Sequence, residues 1–129
     1  MEHSGYGERP DYRVDIHARR NRVTASVGGV VLADSRRTLL VDEQDHGLVF
    51  YFPDEEVRLD RFAASDRTSV CPYKGTATYL RAEVDGIEVL AWRYASPLPP
   101  VARLAGHLAF FQDVVTVAVG TASPAVSGR

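Results

Sequence analysis

Apolar and polar residues alternate along most of the chain. Tyr12, Val14 and Ile16 interleave with Arg13, Asp15 and His17, the period of two that a half-buried strand imposes. The same period runs through residues 22–27, where Val23, Ala25 and Val27 alternate with Arg22, Thr24 and Ser26. Gly28-Gly29 then predicts a tight hairpin turn, because both positions tolerate positive φ, and residues 30–33 return as the partner strand, closed by Asp34-Ser35. Residues 38–42 and 48–52 predict another strand pair around 44–47, ended by Pro53. Residues 54–67 are acidic and mixed, with a single helical turn near 59–64. The clearest hairpin joins 76–83 to 87–94 through Asp85-Gly86. Three prolines exclude a regular element from 96–100, residues 101–105 predict a short helix stopped by Gly106, and 107–111 and 114–119 complete the β structure.

The pattern therefore predicts a mainly β fold: a single compact domain over residues 12–119, made of curled antiparallel sheets or a barrel, with one or two short helices. Residues 1–11 and 120–129 read as flexible segments. At 129 residues the chain can bury well over half the surface that its unfolded state exposes, so it needs no disulfide or metal staple. Its one cysteine cannot form an internal disulfide, which fits the cytoplasm. The polar N-terminus lacks the apolar core of a secretory signal, and the longest apolar runs are too short to cross a bilayer.

A net charge of −2 argues against binding to a phosphate backbone or a membrane surface as the main activity. The sign drifts, however: residues 1–40 carry seven basic and five acidic side chains, residues 41–70 three and eight. Among the fifteen basic residues fourteen are arginine, and the only lysine, Lys74, lies three positions after the only cysteine, Cys71.

That spacing marks Ser69-Val70-Cys71-Pro72-Tyr73-Lys74-Gly75 as the stretch where chemistry is most concentrated. Pro72 and Gly75 predict a turn that brings a thiol and an amine close together. A neighbouring cation stabilises a thiolate, so Cys71 or Lys74 is a candidate nucleophile, and Lys74 can instead polarise a carbonyl or hold an anion. Equally, a lone cysteine is a small apolar residue suited to a core, and a lysine on a turn is usually solvated. Asp42-Glu43, at a strand end, offers a carboxylate for acid–base work or simply a surface charge. Arg36-Arg37 after Asp34-Ser35 can clamp an anion, or lie solvated at a strand end. Tyr51, Tyr79, Trp92 and Tyr94 can line a pocket or fill a core. The four histidines have no metal-ligand spacing with Cys71, so neither metal nor cofactor is expected.

An ordered series of residues resembles one known family. It runs from Val27-Gly28-Gly29 and Ala33-Asp34-Ser35-Arg36-Arg37 through Glu43 and Phe50-Tyr51-Phe52-Pro53 to Cys71-Pro72-Tyr73-Lys74-Gly75-Thr76-Ala77-Thr78-Tyr79. It continues with Ala91-Trp92-Arg93-Tyr94, Pro97, Gly106 and Ala109-Phe110-Phe111. Over roughly residues 12–119 the chain resembles the domain of unknown function 427 family of small bacterial and fungal proteins. The resemblance implies a β-rich domain and no agreed reaction. It marks Ser35, Arg37, Glu43, Tyr51, Cys71, Lys74, Tyr79, Trp92 and Tyr94, and Tyr73 joins the candidates from within the turn. A nucleotidyltransferase-like label attached to similar domains needs a glycine turn and two carboxylates one residue apart to hold magnesium. Here Gly28-Gly29 is followed by Asp42, Glu43 and Asp45, but the alternate position after Asp42 is Gln44.

Three functions follow as expectations. The first is an enzyme acting on a small polar or anionic metabolite, with Cys71, Lys74 and Glu43 catalytic and Ser35, Arg37, Tyr51, Tyr73, Tyr79, Trp92 and Tyr94 binding the ligand. The second is a non-catalytic module that grips a small ligand or peptide in the same pocket. The third is a purely structural role for the turn. Open strand edges make a homodimer the expected assembly.

Overall fold

Every predicted hairpin forms, and each alternating segment becomes a strand. A computed structural model describes Gly5 and residues 9–120. In chain order the strands are β1 (Val14–Ala18), β2 (Val23–Val27), β3 (Val30–Ser35), β4 (Leu39–Glu43), β5 (Leu48–Pro53), β6 (Ala63–Cys71), β7 (Gly75–Val84), β8 (Ile87–Arg93), β9 (His107–Phe110) and β10 (Thr116–Val119). All pair antiparallel. One sheet has seven strands in the order β1-β4-β5-β9-β8-β7-β6, the other three in the order β10-β2-β3. Neither closes on itself, so the curled-sheet form of the expectation holds and the barrel does not: β1 and β6 end the large sheet without pairing to each other.

The alternation sorts side chains onto the two faces of the large sheet. On β5, Phe52 joins Val23, Ala25, Leu32, Val89, Leu108 and Phe110 in the core between the sheets. The intervening Tyr51 points the other way, into a second cluster with Leu39, Val41, Tyr94 and Ala109. That face is covered by a 3-10 segment, Pro99–Leu104, which buries Val101 and Leu104. The segment begins inside the proline run read as excluding regular structure. Pro99 and Pro100 occupy first-turn positions, where a missing N–H costs nothing.

β6 is the element the pattern did not predict. Short 3-10 turns at Asp54–Glu56 and Leu59–Arg61 fall within the acidic stretch, and a nine-residue strand follows directly. Its side chains are exposed on both faces, so it shows no alternation; the hydrogen-bond ladder to β7 makes it a strand. A bulge between Ala64 and Thr68 interrupts that ladder, a common feature of sheet edges. The predicted final strand shortens to β10, and the first starts at Val14 rather than Tyr12. Both end segments expected to be flexible lie largely outside the described residues. No helix among the described residues is long and apolar enough to cross a membrane.

The β2–β3 turn uses φ of +55° at Gly28 and +84° at Gly29, and a Cβ at Gly29 would meet nothing within 4 Å. Gly29→Ala therefore pays for backbone conformation alone. Chemical denaturation should show it less stable by about 1–2 kcal/mol, with an unchanged dependence on denaturant.

Candidate functional site

The Cys71–Gly75 segment is the tip of the β6–β7 hairpin. Cys71 and Gly75 are ladder partners, and the Lys74 N–H donates to the Cys71 carbonyl oxygen at 3.2 Å, with Pro72 at the second turn position. Gly75 re-enters the strand at φ +119°, a conformation reserved for glycine. The turn is also tied from outside. The Lys74 carbonyl accepts from the Leu98 N–H at 2.9 Å, and the Pro72 carbonyl from the Gly5 N–H at 2.7 Å.

So pinned, Lys74 is buried and donates through Nζ to Oε1 of Glu43, itself buried at the end of β4. Tyr12 donates its hydroxyl to the other carboxylate oxygen, Oε2, at 2.5 Å. The exposed His46 ring brings Nε2 to 3.6 Å from the same atom. Tyr12 is held in place by stacking on Tyr73, ring centroids 3.7 Å apart. Burial pushes the Glu43 carboxyl up, but the hydrogen bonds from Lys74 and Tyr12 and the charges of Lys74 and His46 outweigh it. The carboxyl is held below its ordinary value of 4.5. Burial and the bond to Glu43 raise Tyr12 well above the usual tyrosine range, so the phenol keeps its proton and remains a donor.

This ion pair sits at one end of a cavity of about 480 Å³. Val41 and Val49 contribute apolar wall from β4 and β5, and Tyr51, Tyr79, Trp92, Tyr94 and Phe111 contribute an aromatic one. Those rings brace one another. Trp92 donates Nε1–H to the Tyr51 hydroxyl at 3.1 Å, and its ring meets Phe111 edge-on at 5.0 Å. The β6 bulge brings Arg67 over the Tyr79 ring at 4.8 Å, while Ser69 and Tyr79 share a hydroxyl–hydroxyl bond of 2.7 Å. Burial raises Tyr51 and Tyr94 far above the usual phenol range, so both face the cavity as neutral hydroxyls.

Of the sequence-derived candidates, Cys71, Lys74, Glu43, Tyr51, Tyr79, Trp92 and Tyr94 share this cavity. Tyr73 does not line it and serves instead as the stacking partner of Tyr12. Ser35 and Arg37 lie elsewhere, at the end of β3. The Ser35 hydroxyl donates to Glu56 and accepts the Arg37 N–H at 2.8 Å, and the Arg37 guanidinium lies 3.7 and 3.5 Å from Glu55 and Glu56. The Lys74 ammonium, expected beside the thiol, is held by Glu43, and no hydrogen bond links it to Cys71 among the described residues. Two participants escaped the sequence reading, Tyr12 and His46. β1 pairs with β4 so that Val14 opposes Glu43, which places Tyr12 at the carboxylate. His46 reaches it from three residues further along the same turn, its backbone N–H donating to the Glu43 carbonyl at 3.0 Å.

Residues 15–121 match the model of the family NTP_transf_9, described as a domain of unknown function (DUF427). The chain belongs to this family. No curated protein matches it. The residues do not fit the magnesium site that nucleotidyl transfer requires. Gly28-Gly29 is a hairpin turn with no helix after it, and the nearby carboxylates are dispersed onto separate cations. Asp42 faces Arg13 at 3.9 Å, Asp45 faces Arg9 at 3.4 Å, and Glu43 is engaged by Lys74. Among the described residues, no group of three His, Cys, Asp or Glu side chains is placed to hold a metal.

Removing one partner of a buried ion pair strands the other. Glu43→Gln should lower stability at neutral pH by about 3–5 kcal/mol, and Glu43→Gln/Lys74→Met by less than the sum of the two single changes. Because the folded carboxyl lies below its unfolded value, its contribution is complete above that value and is lost as pH falls through the folded one. Denaturation measured from pH 7 down to pH 3 should therefore show a loss of stability starting near pH 4.5 that is shallower in Glu43→Gln.

Proposed function

We propose that the chain is a cytoplasmic small-molecule-binding protein. Its cavity takes a ligand with a flat apolar body and a polar or anionic head. The observation that carries this reading is the placement of one buried ion pair at the end of an aromatic-walled cavity. The aromatic wall favours the apolar body through area and ring–ring contact. The neutral hydroxyls of Tyr51 and Tyr94, and Lys74 with its remaining N–H donors, favour the head. The cavity volume matches a metabolite rather than a polymer. Lys74 is buried and its Nζ is engaged by Glu43, which supports anchoring over nucleophilic chemistry.

A second reading, catalysis on the same class of metabolite, is favoured by one further observation. The half-buried Cys71 thiol and the His46 imidazole line the same cavity, with His46 close to Glu43. In that reading the Cys71 thiol adds to a carbonyl carbon of the substrate, the C=O π pair moves onto the carbonyl oxygen, and the thiol proton passes to the His46 imidazole beside Glu43.

The single tryptophan gives a direct readout, since one indole N–H signal reports on the cavity wall. Titration with 2-naphthoate, an aromatic body with an anionic head, should shift that signal saturably, and Tyr79→Ala should weaken binding about tenfold. Cys71→Ser should leave the affinity unchanged. Absence of a saturable shift at millimolar ligand, or equal binding in Tyr79→Ala, would contradict the binding reading. Once a turned-over substrate is in hand, loss of turnover without loss of binding in Cys71→Ser would favour catalysis.

A further inference from the structure

β4 and β5 have two faces, and the cavity at Glu43 uses one of them. Val41, Glu43, Val49 and Tyr51 line it. The intervening residues Leu40 and Phe50 are partners across the ladder and point the opposite way. There they floor a second cavity of about 750 Å³, where the large sheet meets the ends of β2 and β10. Three arginines stand around it, Arg19, Arg22 and Arg36, together with Asn21 and Val119.

Most arginines in the fold are matched by a carboxylate: Arg9 by Asp45, Arg13 by Asp15, Arg37 by Glu55 and Glu56, Arg58 by Asp60, Arg81 by Glu88 and Arg93 by Asp54. Arg22 is matched as well, donating to both oxygens of Asp34 at 3.0 and 2.7 Å. Arg19, Arg20, Arg36, Arg61, Arg67 and Arg103 are not so matched among the described residues, and of these only Arg19 and Arg36 border this cavity. Neither has a carboxylate within 4.0 Å among the described residues. Arg19 donates only its Nε–H to a side chain, Asn21 at 3.3 Å, and its terminal nitrogens are left for another acceptor. Two positive forks with unspent donors therefore border one concavity, and its floor is apolar.

A guanidinium fork fits two phosphate oxygens at once, and a phosphate monoester carries a charge of about −1.5 to −2 near neutral pH, matching two arginines that lack a directly paired carboxylate. Leu40, Phe50 and Val119 can receive only an organic part, which bare phosphate lacks. The volume suits a small molecule. We propose that this second cavity binds a phosphorylated small molecule, with its phosphate on Arg19 and Arg36 and its organic part on Leu40 and Phe50. The site is distinct from the aromatic cavity, and its success or failure leaves the reading of that cavity untouched.

Phenyl phosphate is the probe, followed by amide chemical-shift mapping and calorimetry at low salt. Saturable binding of one molecule per chain is expected, with shifts at Asn21, Leu40 and Phe50 and tighter binding than inorganic phosphate at the same ionic strength. Arg19→Gln/Arg36→Gln should weaken phenyl phosphate about tenfold or more, as loss of charge-assisted hydrogen bonds demands, with an unchanged melting temperature because both side chains are exposed. Arg81→Gln, on another part of the sheet, should bind as the parent does. The proposal is overturned by absence of saturable binding, by equal affinity for inorganic phosphate, by shifts confined to the Glu43 cavity, or by an equal loss in Arg81→Gln.

Discussion

Taking a carboxylate and an ammonium out of water costs several kcal/mol for each ion, and only close pairing with satisfied hydrogen bonds offsets it. The Glu43–Lys74 pair meets that condition through a specific arrangement of the chain. Glu43 ends β4, Lys74 ends the β6–β7 turn, and Tyr12 arrives from ahead of β1 to satisfy the second carboxylate oxygen. Three segments far apart in sequence must be in register for the pair to be tolerable. The pair thus acts as a constraint on how the far edges of the large sheet are held relative to each other, and much of the local geometry answers to it. Gly75 turns the chain, Pro72 sets the turn, Tyr73 stacks on Tyr12, and the Leu98 N–H holds the Lys74 carbonyl.

The same pair defines what the cavity can do. A polar end fixed at Glu43 and Lys74 faces an aromatic wall built from β5, β7, β8 and the residue after β9. The wall is braced by contacts among its rings and with β6: Trp92 donates to the Tyr51 hydroxyl, Phe111 meets Trp92 edge-on, and Tyr79 bonds Ser69 with the Arg67 guanidinium over its ring. Preorganised rings lose little conformational entropy when a ligand arrives, which is why such walls favour binding. The opposite face of β4 and β5 carries a different chemistry, arginine over an apolar floor, so alternation along two strands separates two environments.

Much of this was legible in the sequence, for definite reasons. Gly28-Gly29 and Asp85-Gly86 announced hairpins because few residues accept positive φ, and alternation such as Val23-Ala25-Val27 announced strands with one buried face. The Cys71–Gly75 turn and the aromatic positions Tyr51, Tyr79, Trp92 and Tyr94 were found as well. What stayed hidden depends on contacts distant in the chain. β6 is an edge strand exposed on both faces, so nothing in its own residues alternates. The partner of Lys74 lies 31 positions away, and proximity in sequence pointed to Cys71 instead. Ser35 and Arg37 occupy family-motif positions yet make polar and ionic contacts with Glu55 and Glu56, which come together because β3 meets the segment after β5 at the Ala33–Val57 bridge.

The central claim is that Glu43 is a buried carboxylate held ionised by Lys74. It is tested most directly by following the Glu43 side-chain carboxyl carbon by NMR across the acid range, in the parent chain and in Lys74→Met. A midpoint below 4.5 is expected in the parent, and an upward displacement in Lys74→Met. A parent midpoint at or above 4.5, or one that does not move when Lys74 is replaced, would contradict it.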